Sequence, residues 1–216
     1  MCNTPSVISE MIRHGLDDSI ALKRRVAEDE TLLIQLEKAA RISLEAMRSG
    51  KKILICGNGG SAADSQHLCG EFVSRFRFDR PSLPAIALNC NTSTLTSIGN
   101  DYDYSIIFSR QVQGLGAEGD VLWAISTTGN SLNIRKALEA AKDKHMHTVG
   151  FLGGITQGQR VAGGCCAPLC DVPLIVPSND TPRVQEVHIL LGHILCDIIE
   201  KELFENEETA KNGKPL

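Results

Sequence analysis

The stretch Ile53-Leu54-Ile55-Cys56-Gly57-Asn58-Gly59-Gly60-Ser61 decides the fold. Four consecutive apolar residues running into a glycine-bearing loop read as a strand buried on both faces, as in a parallel sheet covered by helices. Gly57, Gly59 and Gly60 let the backbone turn sharply and come close to a ligand. Ser61 is placed to cap a helix running to about residue 75. The unit then repeats. Strands are predicted at 84–88, 121–125, 148–152 and 172–176, with helices over 92–98, 104–114, 131–144 and 182–204. This alternation predicts a three-layer α/β fold built on a doubly wound, parallel, five-stranded sheet.

Upstream, residues 5–49 carry no proline after Pro5 and no glycine after Gly15. Leu22, Val26, Leu32, Leu33, Leu36, Ala39, Ala40, Ile42 and Leu44 recur at spacings of three and four. That periodicity predicts two helices breaking near 28–31, with Thr31 capping the second. The predicted organisation is an N-terminal helical arm (1–50), an α/β domain (51–204) and a polar, fraying C-terminal tail (205–216).

Composition narrows the function. The 216 residues are 42% hydrophobic and 22% charged, ordinary for a globular chain long enough to bury a core without staples. Twenty-two basic residues against 26 acidic ones give a net charge of −4, which leaves no footprint for nucleic acid. The apolar runs fall short of the ~18–20 residues of a membrane span, so no membrane role is expected. Arg13, His14, Asp17 and Asp18 break any export signal in residues 1–20, so the expected location is the cytoplasm. Its eight cysteines are then expected to be reduced thiols. The cluster Cys165, Cys166, Cys170 has metal-like spacing but lacks a second CxxC or a nearby histidine.

Two loops carry anion-binding chemistry. Loop 57–61 joins a strand to a helix start, where free N–H groups and the helix dipole favour an anion or a hydroxyl. Loop 126–131 repeats the arrangement with Ser126, Thr127, Thr128 and Ser131. Hydroxyls and free N–H groups without a lysine suit a phosphate monoester better than a triphosphate, and neither GxxxxGK[ST] nor GxGxxG is present. Each loop read alone is equally a tight turn with a capping serine. Two of them at the ends of two strands favour a ligand, because open α/β sheets bind along that edge.

A polar constellation lies on two helices. His67 and Glu71, four apart, share a face of the first crossover helix, and Gln185 and His193, eight apart, share a face of the last. Two histidines, a carboxylate and an amide oxygen can hold a divalent metal of the zinc type. Spacing alone leaves the bland alternatives open: a satisfied helix histidine, a solvated glutamate, and the competing pair Glu186 and His188 on the last helix.

Eight segments together are specific: Cys-Gly-Asn-Gly-Gly-Ser-Ala-Ala-Asp-Ser-Gln-His (56–67), Glu-Phe-Val-Ser-Arg-Phe (71–76) and those at 80–88, 99–102, 108–111, 119–122, 125–131 and 183–193. On these the chain resembles the SIS (sugar isomerase) domain family over about residues 10–203, and within it the phosphoheptose isomerases. The resemblance implies a flavodoxin-like, Rossmann-like SIS domain in a cytoplasmic homotetramer with sites between subunits. It implies an aldose–ketose isomerase converting sedoheptulose 7-phosphate into D-glycero-D-manno-heptose 7-phosphate through a cis-enediol. That step opens the synthesis of activated heptoses for lipopolysaccharide, capsule or related glycans. Carried across, Ser126, Thr127, Thr128 and Ser131 match the phosphate cradle. Asn58, Gly59, Gly60, Ser61, Asn100, Asp101, Glu71 and Gln185 match substrate contacts. His67, Glu71, Gln185 and His193 match ligands of one Zn2+ per subunit, with Glu71 as catalytic base and His193 as acid. Departures are a threonine at 128 where serine is common, the cysteine-rich stretch at 163–170, and the acidic tail. The alternative is a non-catalytic SIS-domain adaptor for the replication initiator, and a SIS transcription regulator would need a basic helix-turn-helix arm that residues 1–50 do not supply.

Overall fold

The apolar runs found in the sequence become neighbouring strands in a computed structural model that describes residues 6–158 and 161–212. They are β1 (Ile53–Gly57), β2 (Ala85–Ala87), β3 (Val121–Ser126), β4 (His147–Gly153) and β5 (Val172–Val176), all parallel, in the order β2-β1-β3-β4-β5. Every residue of β1 and β3 is buried, as their unbroken apolar sequences require. The order reverses between β1 and β3, so the loops leaving these strands open side by side at the edge where such sheets bind ligands.

Helices cover both faces. On one lie α2 (Glu30–Arg48), α3 (Gly60–Val73) and α7 (Thr181–Asn212), packed on a core that includes Leu36, Ile55, Leu68, Trp123, Phe151 and Leu191. On the other lie α4 (Thr92–Asp101), α5 (Ser109–Leu115) and α6 (Leu132–Asp143), around Leu54, Phe108, Leu122, Ile134 and Leu152. Helix α1 (Val7–Ala27) leans on this body through buried Leu22 and Val26.

Local chemistry moved several boundaries. Asp29, not Thr31, caps α2, its carboxylate accepting from Leu32 N at 3.0 Å, because a carboxylate at the N-cap also answers the helix dipole. Ser61 caps nothing: Gly59 occupies the cap of α3, and Ser61 is buried in the first turn against Gly57. The helix predicted over 104–114 splits into a 3₁₀ turn, Tyr104–Ile106, and α5, since Asp103 caps the turn by accepting from Ser105 N at 2.8 Å. The final helix runs on to Asn212 through the segment expected to fray at 205. No glycine or proline interrupts it before Gly213 and Pro215, and glutamate, alanine and lysine are good helix formers. Residues 213–216 of the expected tail lie outside the described residues. No break in packing falls at residue 50: α2 shares one core with β1 and β3, and Trp123 Nε1 donates to Ser43 Oγ of α2 at 3.1 Å inside it.

One buried ion pair ties α7 to the end of α3. Arg80 and Glu200 meet at 3.0 Å with side chains 2% and 1% exposed. Arg80 also donates to Glu71 O and Phe72 O, carbonyls left over at the end of α3, while Glu200 accepts from Phe76 N and Arg77 N. Removing one partner strands the other charge out of water. Glu200→Ala is therefore expected to cost about 3–5 kcal/mol in urea unfolding; a loss below about 1 kcal/mol, the range of a surface pair, would show that the pair does not hold these elements together.

Candidate active site

Helix α3 packs over β1 and β3 and α7 over β4 and β5, and the approach of the two helices to each other creates the site. Gly192 makes this possible: a Cβ there would sit 2.6 Å from the Leu68 side chain, so only bare backbone fits. A turn away, His67 Nε2 lies 2.9 Å from His193 Nε2, and Glu71 Oε1 lies 3.1 Å from His67 Nε2. His67, Glu71 and His193 each present one ligand atom, and these atoms lie within 4.8 Å of one another. Among the described residues this is the one group of three or more histidine, cysteine or acidic side chains so gathered. Burial holds the His193 imidazole below its usual range, helped by the facing His67 and Arg77 and opposed by Glu71. It is thus neutral at neutral pH, the form that binds a metal through nitrogen. Phe76 stacks on it with ring centroids 5.6 Å apart.

Gln185 joins from the start of α7. Its carboxamide lies on Gly60, where a Cβ would collide with the amide. Asp64, a partly buried carboxylate one turn before His67, has its pKa raised by burial, against the lowering effects of Gln185 and His67. Sequence reasoning passed over Asp64; its place three residues before His67 and seven before Glu71, on their helix face, was the available signal.

The competing residues on α7 are settled by burial. His188 is 1% exposed, faces the sheet, and meets Leu152 O through Nε2 at 3.0 Å. Glu186 pairs with Arg183 at 2.8 Å and accepts from Ser19 of α1 at 2.7 Å.

The two loops flank the crossing. Ser126 Oγ and Ser131 Oγ lie 3.2 Å apart. Ser131 stands at the N-cap of α6 without a capping side-chain bond, so the helix start stays open. Thr128 Oγ1 accepts from Asn130 N at 3.2 Å, and Thr127 O and Val184 of α7 crowd Gly153 from two sides. Asn58 is locked in a reciprocal amide pair with Asn133, both bonds at 2.8 Å, with Tyr104 OH donating to it at 3.2 Å. Gly59 has φ +56°, a conformation that suits glycine. Asn100 and Asp101 do not join this cluster in one chain: Asn100 Nδ2 donates to Asp101 Oδ1 at 2.8 Å at the end of α4. The cysteine stretch straps loop 126–131 from outside, Cys166 N donating to Gly129 O at 2.9 Å and Cys165 N to Asn130 Oδ1 at 3.1 Å. Burial pushes the Cys166 and Cys170 thiols up to about 12, so they are poor thiolates.

A parallel α/β sheet with hydroxyl-lined loops at its switch point and a histidine–carboxylate cluster above them defines a sugar-phosphate-handling class of domain. The comparisons agree. A family model described as SIS domain matches residues 16–153, and the chain belongs to that family. Phosphoheptose isomerase from Clostridium acetobutylicum is 54% identical over 197 residues, covering 91% of this chain and 97% of the relative. Solved phosphoheptose isomerase structures from Francisella tularensis and Neisseria gonorrhoeae superpose with TM-scores of 0.83 and 0.81 at 36% and 40% identity. They cover 91% and 90% of this chain and all of theirs. These relatives are named as isomerases, and the adaptor reading draws no support from them. Among the described residues no helix is long and apolar enough to cross a membrane.

His188 makes stability depend on pH in a predictable direction. Burial depresses its folded pKa to about 4 from an ordinary 6.5. Between those values the unfolded chain takes a proton that the folded chain refuses, so the contribution is fully present above pH 6.5 and is lost as pH falls toward 4. The limit is about 3 kcal/mol. Urea unfolding across this window is expected to show a shallower pH slope for His188→Asn than for the wild type; identical slopes would mean His188 carries its proton in the folded state.

Proposed function

We infer that the chain is a phosphoheptose isomerase acting on sedoheptulose 7-phosphate, and the convergence of His67, Glu71 and His193 carries the reading. Isomerisation moves a proton between C1 and C2 of the sugar. Glu71 is the base: its carboxylate takes a proton from C1 while the N–H of His193 protonates O2, giving the cis-enediol. The protonated Glu71 then returns a proton to C2 and His193 recovers one from O1, leaving the aldose and restoring both groups. Glu71 is largely shielded, its side chain 20% exposed.

His67, Glu71, Gln185 and His193 suit a zinc ion: two imidazoles, a carboxylate and an amide oxygen, with His193 held neutral. When bound, such an ion supplies electrostatic stabilisation of developing negative charge on the sugar oxygens. The far end of the substrate is held by Ser126, Thr127, Thr128 and Ser131 at the open start of α6, where N–H groups and hydroxyls suit a phosphate. Gly59 and Gly60 bring backbone close to the sugar, and Asn58, Ser61, Asn100 and Asp101 are further candidate contacts. The remote phosphate provides binding energy that orients the reacting carbons. Glu71→Gln is expected to lower turnover of sedoheptulose 7-phosphate by about 10²–10⁴-fold with KM little changed; near-normal turnover would remove Glu71 from the chemistry.

The cytoplasmic homotetramer and a role in lipopolysaccharide, capsule or related glycan synthesis belong to the same reading. Helix α1 supports the assembly. Val7, Ile8, Met11, Ile12, Leu16 and Ile20 line one face of it and are exposed, Met11 by 70%. An apolar stripe this long on an amphipathic helix is the seam a second copy covers. Met11→Asp paired with Ile12→Asp is expected to shift the mass in light scattering from tetramer to smaller species; an unchanged mass would exclude α1 from the interface.

A further inference from the structure

Loops 57–61 and 126–131 leave the adjacent strands β1 and β3, and on the isomerase reading one substrate spans both. A pair of side chains already does. Asn58, in the first loop, faces Asn133, in the first turn of α6 just past Ser131. Asn58 Nδ2 donates to Asn133 Oδ1 and Asn133 Nδ2 donates to Asn58 Oδ1, both at 2.8 Å. Tyr104 OH, from the 3₁₀ turn, donates to Asn58 Oδ1 at 3.2 Å. That turn is itself fastened to α6, Lys136 Nζ donating to Ser105 Oγ at 2.6 Å. Three segments far apart in the chain thus meet on one carboxamide. The pairing also fixes its orientation: turning one amide over alone sets nitrogen against nitrogen and oxygen against oxygen, and breaks both bonds.

Asn133 is 3% exposed, and a buried amide costs free energy unless its hydrogen bonds are made. Stability alone does not ask for it, since an apolar pair of the same shape can replace two bonded amides at almost no cost. Tyr104 gains little from burial, being 62% exposed, and its hydroxyl ends on Asn58. The demand for these polar groups therefore comes from the loop they hold. We propose that Asn133 and Tyr104 are positioning residues that hold the Asn58 carboxamide toward the sugar and keep loop 57–61 at a set distance from the phosphate-holding start of α6, a role that rests on the isomerase reading above. A substrate anchored by its phosphate meets loop 57–61 in register only while that spacing holds, and a loop tied down beforehand costs less to order on binding. The contact is one of binding, shared by ground and transition state, so its loss is read in KM and not in kcat.

The test is steady-state kinetics of the whole chain on sedoheptulose 7-phosphate. Asn133→Ala and Tyr104→Phe are each expected to raise KM about 3–10-fold, the range of one hydrogen bond, with kcat within about twofold of the wild type. Inorganic phosphate, added as a competitive inhibitor, reaches loop 126–131 and not the sugar contacts, so its inhibition constant is expected to stay within about twofold in both variants. Added to Asn58→Ala, Asn133→Ala is expected to raise KM no further, since it acts through Asn58. An unchanged KM in both variants, or a further rise in the double variant, would overturn the positioning role. So would a phosphate inhibition constant that climbs in step with KM, because it marks a helix start that has merely slipped. Tyr104→Phe removes one hydroxyl from an exposed side chain and carries the same test should Asn133→Ala fail to fold. A wild-type chain that does not turn over sedoheptulose 7-phosphate would overturn the isomerase reading and the positioning role with it, whereas wild-type turnover matched by both variants would overturn the positioning role alone.

Discussion

Two bare stretches of backbone bring α3 and α7 together, and the site exists only because they do. Gly192 admits the Leu68 side chain and Gly60 admits the Gln185 amide; a methyl at either position would displace the side chain seated there. The side chains of the cluster have limited reach. At helix separations of ~8–10 Å, the usual range, imidazoles from facing helices touch only where small residues let the axes close in. The 2.9 Å approach of His67 to His193 therefore depends on a residue, Gly192, that has no chemistry of its own.

The same device recurs at the phosphate end. Gly129 and Gly164 lie so close that a Cβ on either would strike the other's segment, and Gly163 is wedged against Ala167 and Ile175. Backbone bonds from Cys166 to Gly129 and from Cys165 to Asn130 complete the clasp. The cysteines stand there for their size and backbone, which explains metal-like spacing without convergence of their sulfurs: small side chains are what a loop-on-loop contact admits. Loop 126–131 is thereby braced from behind, which on the proposed reading lowers the ordering cost of binding a phosphate there.

Much of this was legible before any coordinates. Buried strands announce themselves by unbroken apolar runs, and the strand–loop–helix repeat fixes a parallel sheet with its ligand edge. The i,i+4 pair His67–Glu71 was visible as one helix face. Long-range partners were not. Gln185 comes to lie on Gly60 from 125 positions further along, a contact no local pattern announces. His188 and His193 are equivalent on paper; a rotation of α7 decides that one faces the sheet and the other the cluster. Caps failed for a related reason. Asp29 outcompetes Thr31, and Ser61 is consumed by packing under Gly57, because a hydroxyl's local option yields to the burial its position demands.

Electrostatics and solvent set what the cluster still lacks. The exposure of its groups is graded: His67 is 53% exposed at the side chain, Glu71 20%, and His193 is covered by Phe76. Proton transfer at carbon needs the opposite of an open rim, since an enediol in contact with water exchanges its protons with the solvent. On the proposed reading the substrate closes only part of the opening, its phosphate lying at loop 126–131 and its carbonyl end at Glu71. The remaining cover has to come from protein surface outside these two helices. The Arg80–Glu200 pair ties one end of the crossing, and Gln185 packs on Gly60 at the other. On the proposed reading of a homotetramer, a second copy of the chain completes the wall, so that assembly and dryness of the site are one requirement met by one surface.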